Sequence, residues 1–278
     1  MSSTNSISAP ASISYNRVMD FWQKQASEPL FPDLLWSRPE NKRTAGKLLI
    51  IGGNLHNFSA PGAAYQTAVE AGVGTARVLL PEGLRKTIGA VLDNCEFAPM
   101  NKSGSFSKLA LDEWLENAAW ADGVLLSGDL GRNSETAIVT EQFIKKYSGQ
   151  LTITQDALDQ FRDNPKELFS RPNTTNIASF GQLQKMWPFV TADDRVIKYG
   201  NSLTQNLDIL HATAKNLPIN LITKQHDDLI VLADGKISTT KSTEEVWRVD
   251  TAAKVAVWWL QKPIKPFEAL TTAVAKFK

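Results

Sequence analysis

The chain has 278 residues, 42% of them hydrophobic, which is enough for one large domain with a substantial core. Its 30 Lys and Arg residues are balanced by 29 Asp and Glu residues, so a net charge of +1 gives no global field that would attract nucleic acid or an anionic membrane. The single cysteine, Cys95, excludes an intramolecular disulfide and a cysteine zinc site.

The histidines and the apolar runs exclude further classes of protein. His56, His211 and His226 lie far apart and lack the spacing of metal ligands. No apolar run is long enough to cross a bilayer, and the first residues lack the basic and apolar regions of a secretion signal. We therefore expect a cytoplasmic protein that binds neither nucleic acid nor a membrane, without a metal site built from side chains alone.

The first part of the chain has little to bury. Residues 1–14 are rich in Ser, Ala and Asn, which predicts a disordered tail. The stretch RVMDFWQKQ, residues 17–25, predicts a short helix, and a polar connector follows it. We divide the chain into residues 1–35, a tail with a short helix, and residues 36–278, one folded domain.

From residue 47 onward, short apolar runs alternate with helical stretches. The runs predict buried strands at 47–53, 75–81, 122–128 and 150–154, and the stretches between them predict helices at 61–72, 109–119 and 133–147. Strands that are apolar on both faces and alternate with helices are typical of a parallel sheet covered by helices on both sides.

The last third of the chain changes character. Strands are predicted at 219–224 and 228–240, the second split by an Asp-Gly turn that favours an antiparallel hairpin. Two helices, 251–261 and 266–276, close the chain. The predicted fold is α/β, a three-layer α/β/α sandwich whose mostly parallel sheet has an antiparallel edge hairpin.

In such a sheet, ligands bind beyond the carboxyl ends of the strands, and two glycine-containing loops lie there. Gly52 and Gly53 follow the first strand, and the helix near Pro61 offers free N–H groups to a ligand, although the glycine pair is equally typical of a tight turn. Gly128 and Gly131 bracket a second loop, in which Arg132 either reaches an anion or is simply solvated.

Three charged residues follow other strands or open a helix. Asp156 comes after the strand 150–154, and Lys224 ends the strand 219–224, where it either contacts a phosphate or blunts a sheet edge. Asp250 directly precedes the helical run TAAKVAVWWL, a position that is also typical of a plain helix N-cap.

Five motifs occur in an order that is characteristic of one family. They are IIGGNLHNFSAPGAAYQTAVEAGVG, SGDLGR, TQDAL, TKQHDDLIVLADGK and VDTAAKVAVWWLQKPIKPFEA. Together they resemble the ribokinase-like NAD(P)H-hydrate dehydratases, repair lyases that depend on ATP or ADP, and the resemblance covers about residues 36–278. It implies the ribokinase-like form of the α/β/α sandwich.

The resemblance also implies an activity and a set of site residues. The substrate would be a small molecule, hydrated NADH or NADPH, whose hydroxyl is phosphorylated at the expense of ATP or ADP before phosphate is eliminated. Mg²⁺ would bridge the nucleotide phosphates. Asp250 would be the catalytic base. The other implied contacts are Ala60, Pro61, Gly131 and Asp156 with the substrate, and Lys224, Arg248 and Val249 with the nucleotide.

The sequence departs from the family pattern at this site. Trp247, Arg248 and Val249 stand where the family has glycines that turn N–H groups toward phosphate, so we expect a remodelled anion hole. Arg248 would either compensate by its charge or point into water. Asp129 replaces a proline near the expected phosphates, and Ser179–Gln182 replace His-Pro-Gly-Glu.

Three functions remain open on this reading. They are an active hydrate dehydratase, a degenerate nucleotide-binding homologue without turnover, and a small-molecule kinase of the ribokinase-like group. The sequence does not distinguish ATP from ADP as the phosphate donor, or hydrated NADH from hydrated NADPH as the substrate. Trp258 and Trp259 point about 100° apart on their helix, and the apolar surface of the closing helices predicts a homo-oligomer.

Overall fold

The computed structural model describes residues 20–26, 28–89, 94–191, 194–215 and 217–275. The strands in these residues form a single sheet in the order β1-β10-β9-β8-β7-β6-β5-β2-β3-β4. They are β1 Trp22–Gln25, β2 Lys47–Gly52, β3 Thr75–Pro81, β4 Cys95–Ala98, β5 Gly123–Gly128, β6 Gln150–Thr154, β7 Thr174–Ile177, β8 Asn220–Gln225, β9 Asp228–Ala233 and β10 Lys236–Lys241. Among these strands, β9 alone runs against the others.

Helices cover both faces of the sheet and make it the middle of three layers. They are α1 Asp33–Trp36, α2 Ser59–Glu70, α3 Arg85–Ile88, α4 Leu111–Trp120, α5 Ser134–Lys146, α6 Asp156–Asp159, α7 Pro165–Phe169, α8 Phe180–Val190, α9 Leu203–Ala214, α10 Arg248–Gln261 and α11 Pro266–Ala273. The helices α2, α10 and α11 share a hydrophobic core with one face, and α4, α5, α7, α8 and α9 share a core with the other. The predicted three-layer α/β/α sandwich is confirmed.

The central strands are buried on both faces because their sequences are apolar at every position. Leu49 and Ile51 of β2 lie in one core, whereas Leu48 and Ile50 lie in the other, and all four side chains are fully buried. Alternate residues of a strand point to opposite faces, so an uninterrupted apolar run needs a helical layer on each side. The same reasoning predicted the strands β2, β3, β5 and β6, and each is present.

The helix predicted over residues 17–25 is wrong in its described part, residues 20–25, because Trp22–Gln25 form the edge strand β1. Residues 17–19 lie outside the described residues. β1 pairs in parallel with β10, and the indole Nε1 of Trp22 donates to Thr239 Oγ1 at 3.0 Å. The Phe21 ring stacks on the imidazole of His211 with their centroids 3.7 Å apart. These distant partners override local helix propensity. The predicted tail, residues 1–14, lies outside the described residues, and the boundary after residue 35 stays a prediction.

The first turn of α10 corrects the predicted capping role of Asp250. The helix begins at Arg248 with Trp247 as the N-cap, so Asp250 is its third residue rather than its cap. Val249 is helical and buried, so the positive φ that glycine would accept is not needed there.

The closing helices bury most of the apolar surface that predicted a homo-oligomer. Trp258 and Trp259 of α10 are 5% and 3% exposed and lie in the core shared with α2 and α11. The Arg38 guanidinium also covers the Trp258 ring at 4.5 Å. The predicted homo-oligomer therefore stays a prediction, and the apolar surface of the closing helices no longer supports it. No helix in the described part of the chain is long and apolar enough to span a membrane.

Candidate functional site

The topology predicts a ligand site at the carboxyl ends of β2 and β5. These strands are neighbours in the sheet, but the chain continues from β2 to β3 on one side and from β5 to β6 on the other. The connections leave in opposite directions at such a point, which separates the loops and opens the usual ligand site of an α/β sheet.

The Gly52-Gly53 turn brings β2 and β5 close together. A Cβ on Gly52 would lie 2.4 Å from Ser127 Oγ and 2.6 Å from the carbonyl oxygen of Gly128. Gly53 has a φ of +81°, and its N–H donates to the same carbonyl oxygen at 2.9 Å. The close approach of β5 requires glycine at position 52, and the positive φ favours glycine at position 53. Both glycines therefore fit the tight-turn interpretation.

The carboxylate of Asp129 lies at the N-terminus of α2. Its Oδ2 accepts the Ala60 N–H at 2.7 Å and the Ser59 hydroxyl at 3.3 Å, and its Oδ1 accepts the Asn57 side-chain amide at 2.9 Å. A negative charge is favourable at a helix N-terminus. The N–H of Ala60, a residue expected to contact the substrate, is thus already bonded within the chain, and the adjacent Pro61 is buried and has no N–H.

Replacing Asp129 by alanine is expected to lower the free energy of unfolding by about 1–2 kcal/mol, because α2 loses its capping acceptor. Asp129 also has a φ of +58°, which alanine tolerates poorly. Asp129→Asn is the matched control, since asparagine keeps an acceptor and adopts this φ readily. Urea denaturation would measure both variants, and equal losses for alanine and asparagine would contradict a capping role.

The predicted substrate residues Gly131 and Asp156 contact each other. The Asp156 carboxylate accepts the N–H of Gly131 at 3.0 Å and that of Leu130 at 3.3 Å. Burial raises the pKa of the Asp156 carboxyl, and although these two bonds lower it, the charges of Asp129 and Asp159 raise it further. The carboxyl edge of the sheet beyond β5 and β6 is therefore rich in carboxylates.

The N-terminus of α10 has donors that the chain does not use. The N–H groups of Arg248, Val249 and Asp250 have no acceptor among the described residues, and no side chain caps the helix. The half-buried carboxylate of Asp250 accepts the Thr67 hydroxyl at 3.2 Å. A carboxylate and three free donors thus lie within one helical turn, an arrangement that suits a base beside an anion.

The side chains of the two predicted phosphate-binding cations, Lys224 and Arg248, bind different partners. Lys224 Nζ donates to the backbone oxygen of Glu244 at 2.5 Å, which ties it to the segment before α10. Arg248 does not extend into bulk water, because its Nη1 donates to Gln182 Oε1 at 2.9 Å. Burial lowers the pKa of the Arg248 guanidinium, and the charges of Asp159 and Asp156 act in the opposite direction.

Several residues at this edge of the sheet were not predicted to act there. Gln182 had one sequence signal, since Ser179 and Gln182 form a capping box at the start of α8, and this pattern is readable from the sequence. Thr67 and Asn57 had none, because their partners at the site are 183 and 72 residues away in the sequence. Within the described ranges, no group of three His, Cys, Asp or Glu side chains is arranged to hold a metal ion.

Sequence comparison finds relatives among hydrate repair enzymes. No family model matches the chain. It is 31% identical over 122 residues to the bifunctional NAD(P)H-hydrate repair enzyme of Methanocaldococcus jannaschii, a match covering 42% of this chain and 23% of the relative. The corresponding enzyme of Salinibacter ruber is 28% identical over 130 residues, covering 46% of this chain and 24% of the relative. The matches span about a quarter of each relative.

Solved structures with the same fold cover nearly the whole chain. A ribokinase-like superfamily protein from Enterococcus faecalis has a TM-score of 0.67 at 16% identity, covering 94% of this chain and 87% of that one. The ADP/ATP-dependent NAD(P)H-hydrate dehydratase from Bacillus subtilis, co-crystallised with ATP and Mg²⁺, has a TM-score of 0.58 at 14% identity, covering 89% and 86%. The fold is ribokinase-like, and the resemblance to hydrate repair enzymes is confirmed.

Proposed function

We propose that this chain consumes ATP or ADP to dehydrate hydrated NADH or NADPH. The observation that carries the proposal is the first turn of α10, where the Asp250 carboxylate lies beside three N–H groups that have no acceptor among the described residues. Such a turn offers a proton acceptor and donors for a developing negative charge side by side. The similarity to hydrate repair enzymes supports this choice of substrate.

The reaction divides into a phosphoryl transfer and an elimination. Asp250 accepts the proton of the substrate hydroxyl while the hydroxyl oxygen bonds to the terminal phosphorus, and the bond from that phosphorus to the bridging oxygen of ATP or ADP breaks. Breaking the ring carbon–oxygen bond then releases inorganic phosphate, and loss of a proton from the neighbouring carbon restores the ring double bond. The free N–H groups of α10 stabilise the charge on the transferred group.

The donor groups present fit a nucleotide phosphate better than a metal ion held by protein alone. The turn provides backbone N–H groups and the Arg248 guanidinium, both of which suit phosphate oxygens. The described residues provide no set of three metal-ligating side chains. A Mg²⁺ ion would therefore be held chiefly by the phosphates of the nucleotide and by water, as is common for this ion.

Nucleotide binding without turnover is a second candidate, and the contact made by Ala60 favours it over turnover. The N–H of Ala60, a residue expected to contact the substrate, is bonded to Asp129, and Lys224, expected to face the nucleotide, is bonded to Glu244. Groups already engaged within the chain give up those bonds only if a ligand replaces them. The Ala60 contact therefore weakens the case for a complete substrate site. The Lys224 contact removes one expected contact with the nucleotide, whereas the first turn of α10 stays available to it.

The full chain incubated with hydrated NADH, Mg²⁺ and either ATP or ADP should regenerate the absorbance of NADH, and omission of nucleotide should abolish the signal. Thermal unfolding with nucleotide separates the two candidates, because a ligand at 100 times its Kd stabilises the folded state by about 2.7 kcal/mol. A shift without regeneration supports binding alone. Absence of both responses would eliminate both candidates.

A further inference from the structure

A polar contact between Arg248 and Gln182, here called the clasp, crosses the carboxyl edge of the sheet. Arg248 opens α10 and Gln182 lies in the first turn of α8, and Arg248 Nη1 donates to Gln182 Oε1 at 2.9 Å. The helices α10 and α8 pack on opposite faces of the sheet. The clasp therefore joins the two helical layers over the end of the sheet, where ligands of this fold class bind.

Gln182 is held in one orientation by bonds at both ends of its amide. Its Oε1 also accepts the N–H of Ser179 at 3.1 Å, and its Nε2 donates to the backbone oxygen of Gln155 at 2.8 Å and to Asp159 Oδ1 at 3.0 Å. If the amide oxygen and nitrogen were exchanged, the NH₂ group would face the N–H donors of Ser179 and Arg248, and the oxygen would face the oxygens of Gln155 and Asp159. The oxygen is therefore fixed toward Arg248.

Arg248 is anchored but not neutralised by this contact. The amide of Gln182 is uncharged, and no carboxylate of the described residues lies within salt-bridge distance of the guanidinium. A guanidinium has five N–H donors, and the clasp uses one of its nitrogens. The others have no acceptor among the described residues, so the charge and most of the donors remain for a ligand beside the first turn of α10.

The clasp joins two departures from the family pattern that are 66 residues apart in the sequence. The pattern has a glycine-rich turn where Arg248 stands and a glutamate where Gln182 stands. A glutamate at 182 would pair with Arg248 and would also lie against the Asp159 carboxylate, which Gln182 contacts at 3.0 Å. The neutral amide of Gln182 therefore orients Arg248 without neutralising its charge and without repelling Asp159.

We propose that Gln182 is a positioning residue that holds the Arg248 guanidinium at the first turn of α10, where it binds the phosphate of the nucleotide. The charged N–H donors of the guanidinium take the place of the neutral backbone N–H donors that the glycines turn toward phosphate in the family pattern. This inference rests on the nucleotide binding proposed above. On this proposal, Gln182 and Arg248, which both depart from the family pattern, belong to one altered phosphate site.

Calorimetric titration of ADP into the full-length protein and its Gln182→Glu variant tests the proposal. Gln182→Glu should raise the Kd for ADP about tenfold or more, because a salt bridge would occupy Arg248 and a negative charge would be added. Gln184→Glu is the matched control on the same helix, since the one hydrogen bond of the Gln184 side chain among the described residues goes to the Ile197 backbone oxygen, at 3.4 Å. It should leave the Kd within about twofold of the wild-type value.

A double-mutant cycle separates positioning from a general structural role. Gln182→Leu should weaken ADP binding in the wild-type background but change it little in an Arg248→Met background, because its effect passes through the arginine. Equal weakening in both backgrounds, or no weakening by Gln182→Glu, would overturn the role of Gln182. The nucleotide site itself would stand in that case if the wild type binds ADP, and the proposed reaction is tested separately by NADH regeneration. A wild-type protein that binds neither ADP nor ATP in the same titration would overturn both.

Discussion

The Asp250→Asn variant is expected to lose about 10²- to 10⁴-fold of the rate of NADH regeneration, because it lacks the proposed general base. Asparagine has nearly the same size as aspartate and keeps an oxygen that accepts the Thr67 hydroxyl, which lies 3.2 Å from Asp250 Oδ1. Loss of the charge near the N-terminus of α10 costs about 0.5 kcal/mol of unfolding free energy. Steady-state rates and urea denaturation would be measured on the same preparations.

Thr67→Val is the control for the surroundings of Asp250. It removes the hydrogen bond that orients the carboxylate but leaves the carboxylate itself, so the rate should fall far less than in Asp250→Asn. ADP binding should survive in the asparagine variant, since the N–H groups of the first turn of α10 are unchanged. A rate for Asp250→Asn within about threefold of the wild type, where a general base contributes 10²-fold or more, would exclude Asp250 as the base.

The Trp114→Ala variant is expected to lose about 3–5 kcal/mol of unfolding free energy, because a large cavity would open in the core between the sheet and α4. The Trp114 side chain is fully buried. Its ring makes edge contacts with Phe106 and Phe143 at centroid distances of 5.0 and 5.5 Å. Urea denaturation monitored by circular dichroism would measure the loss without relying on tryptophan fluorescence.

Trp114→Phe provides the matched control for this prediction. Phenylalanine keeps an aromatic ring against the same neighbours, and it removes an indole N–H that has no acceptor among the described residues. The phenylalanine variant should therefore lose much less stability than the alanine variant. Similar losses for both would mean that the core adapts poorly to any change of shape, and a loss below about 1 kcal/mol for alanine would contradict the cavity argument.

Asp129 and the clasp show why departures from a family pattern are hard to interpret from sequence. Asp129 was expected to lie as a new negative charge near bound phosphates, whereas its carboxylate caps α2 through Ala60. Arg248 was expected either to compensate by charge or to face water, and it contacts Gln182 instead. Each residue's role depends on a partner that the sequence places 66 or more residues away.

The sequence by itself determined the α/β architecture and the position of the hairpin. Runs such as Leu48–Ile51 are apolar at successive positions, and a strand of that kind is stable only between two helical layers. Asp234 and Gly235 both have positive φ, at +49° and +69°, as the tight turn between β9 and β10 requires. These features depend on neighbouring residues, so they can be read from the sequence.

Only the tertiary structure decided the edge strand and the partners at the site. The segment Trp22–Gln25 became a strand because β10 supplies backbone partners and His211 stacks on Phe21, whereas its local pattern favoured a helix. The position of Asp250 as the third residue of α10, rather than its cap, likewise required the backbone. Hydrogen bonds between segments distant in sequence leave no local periodicity, and it is these bonds that fixed which groups the chain uses itself and which it leaves for a ligand.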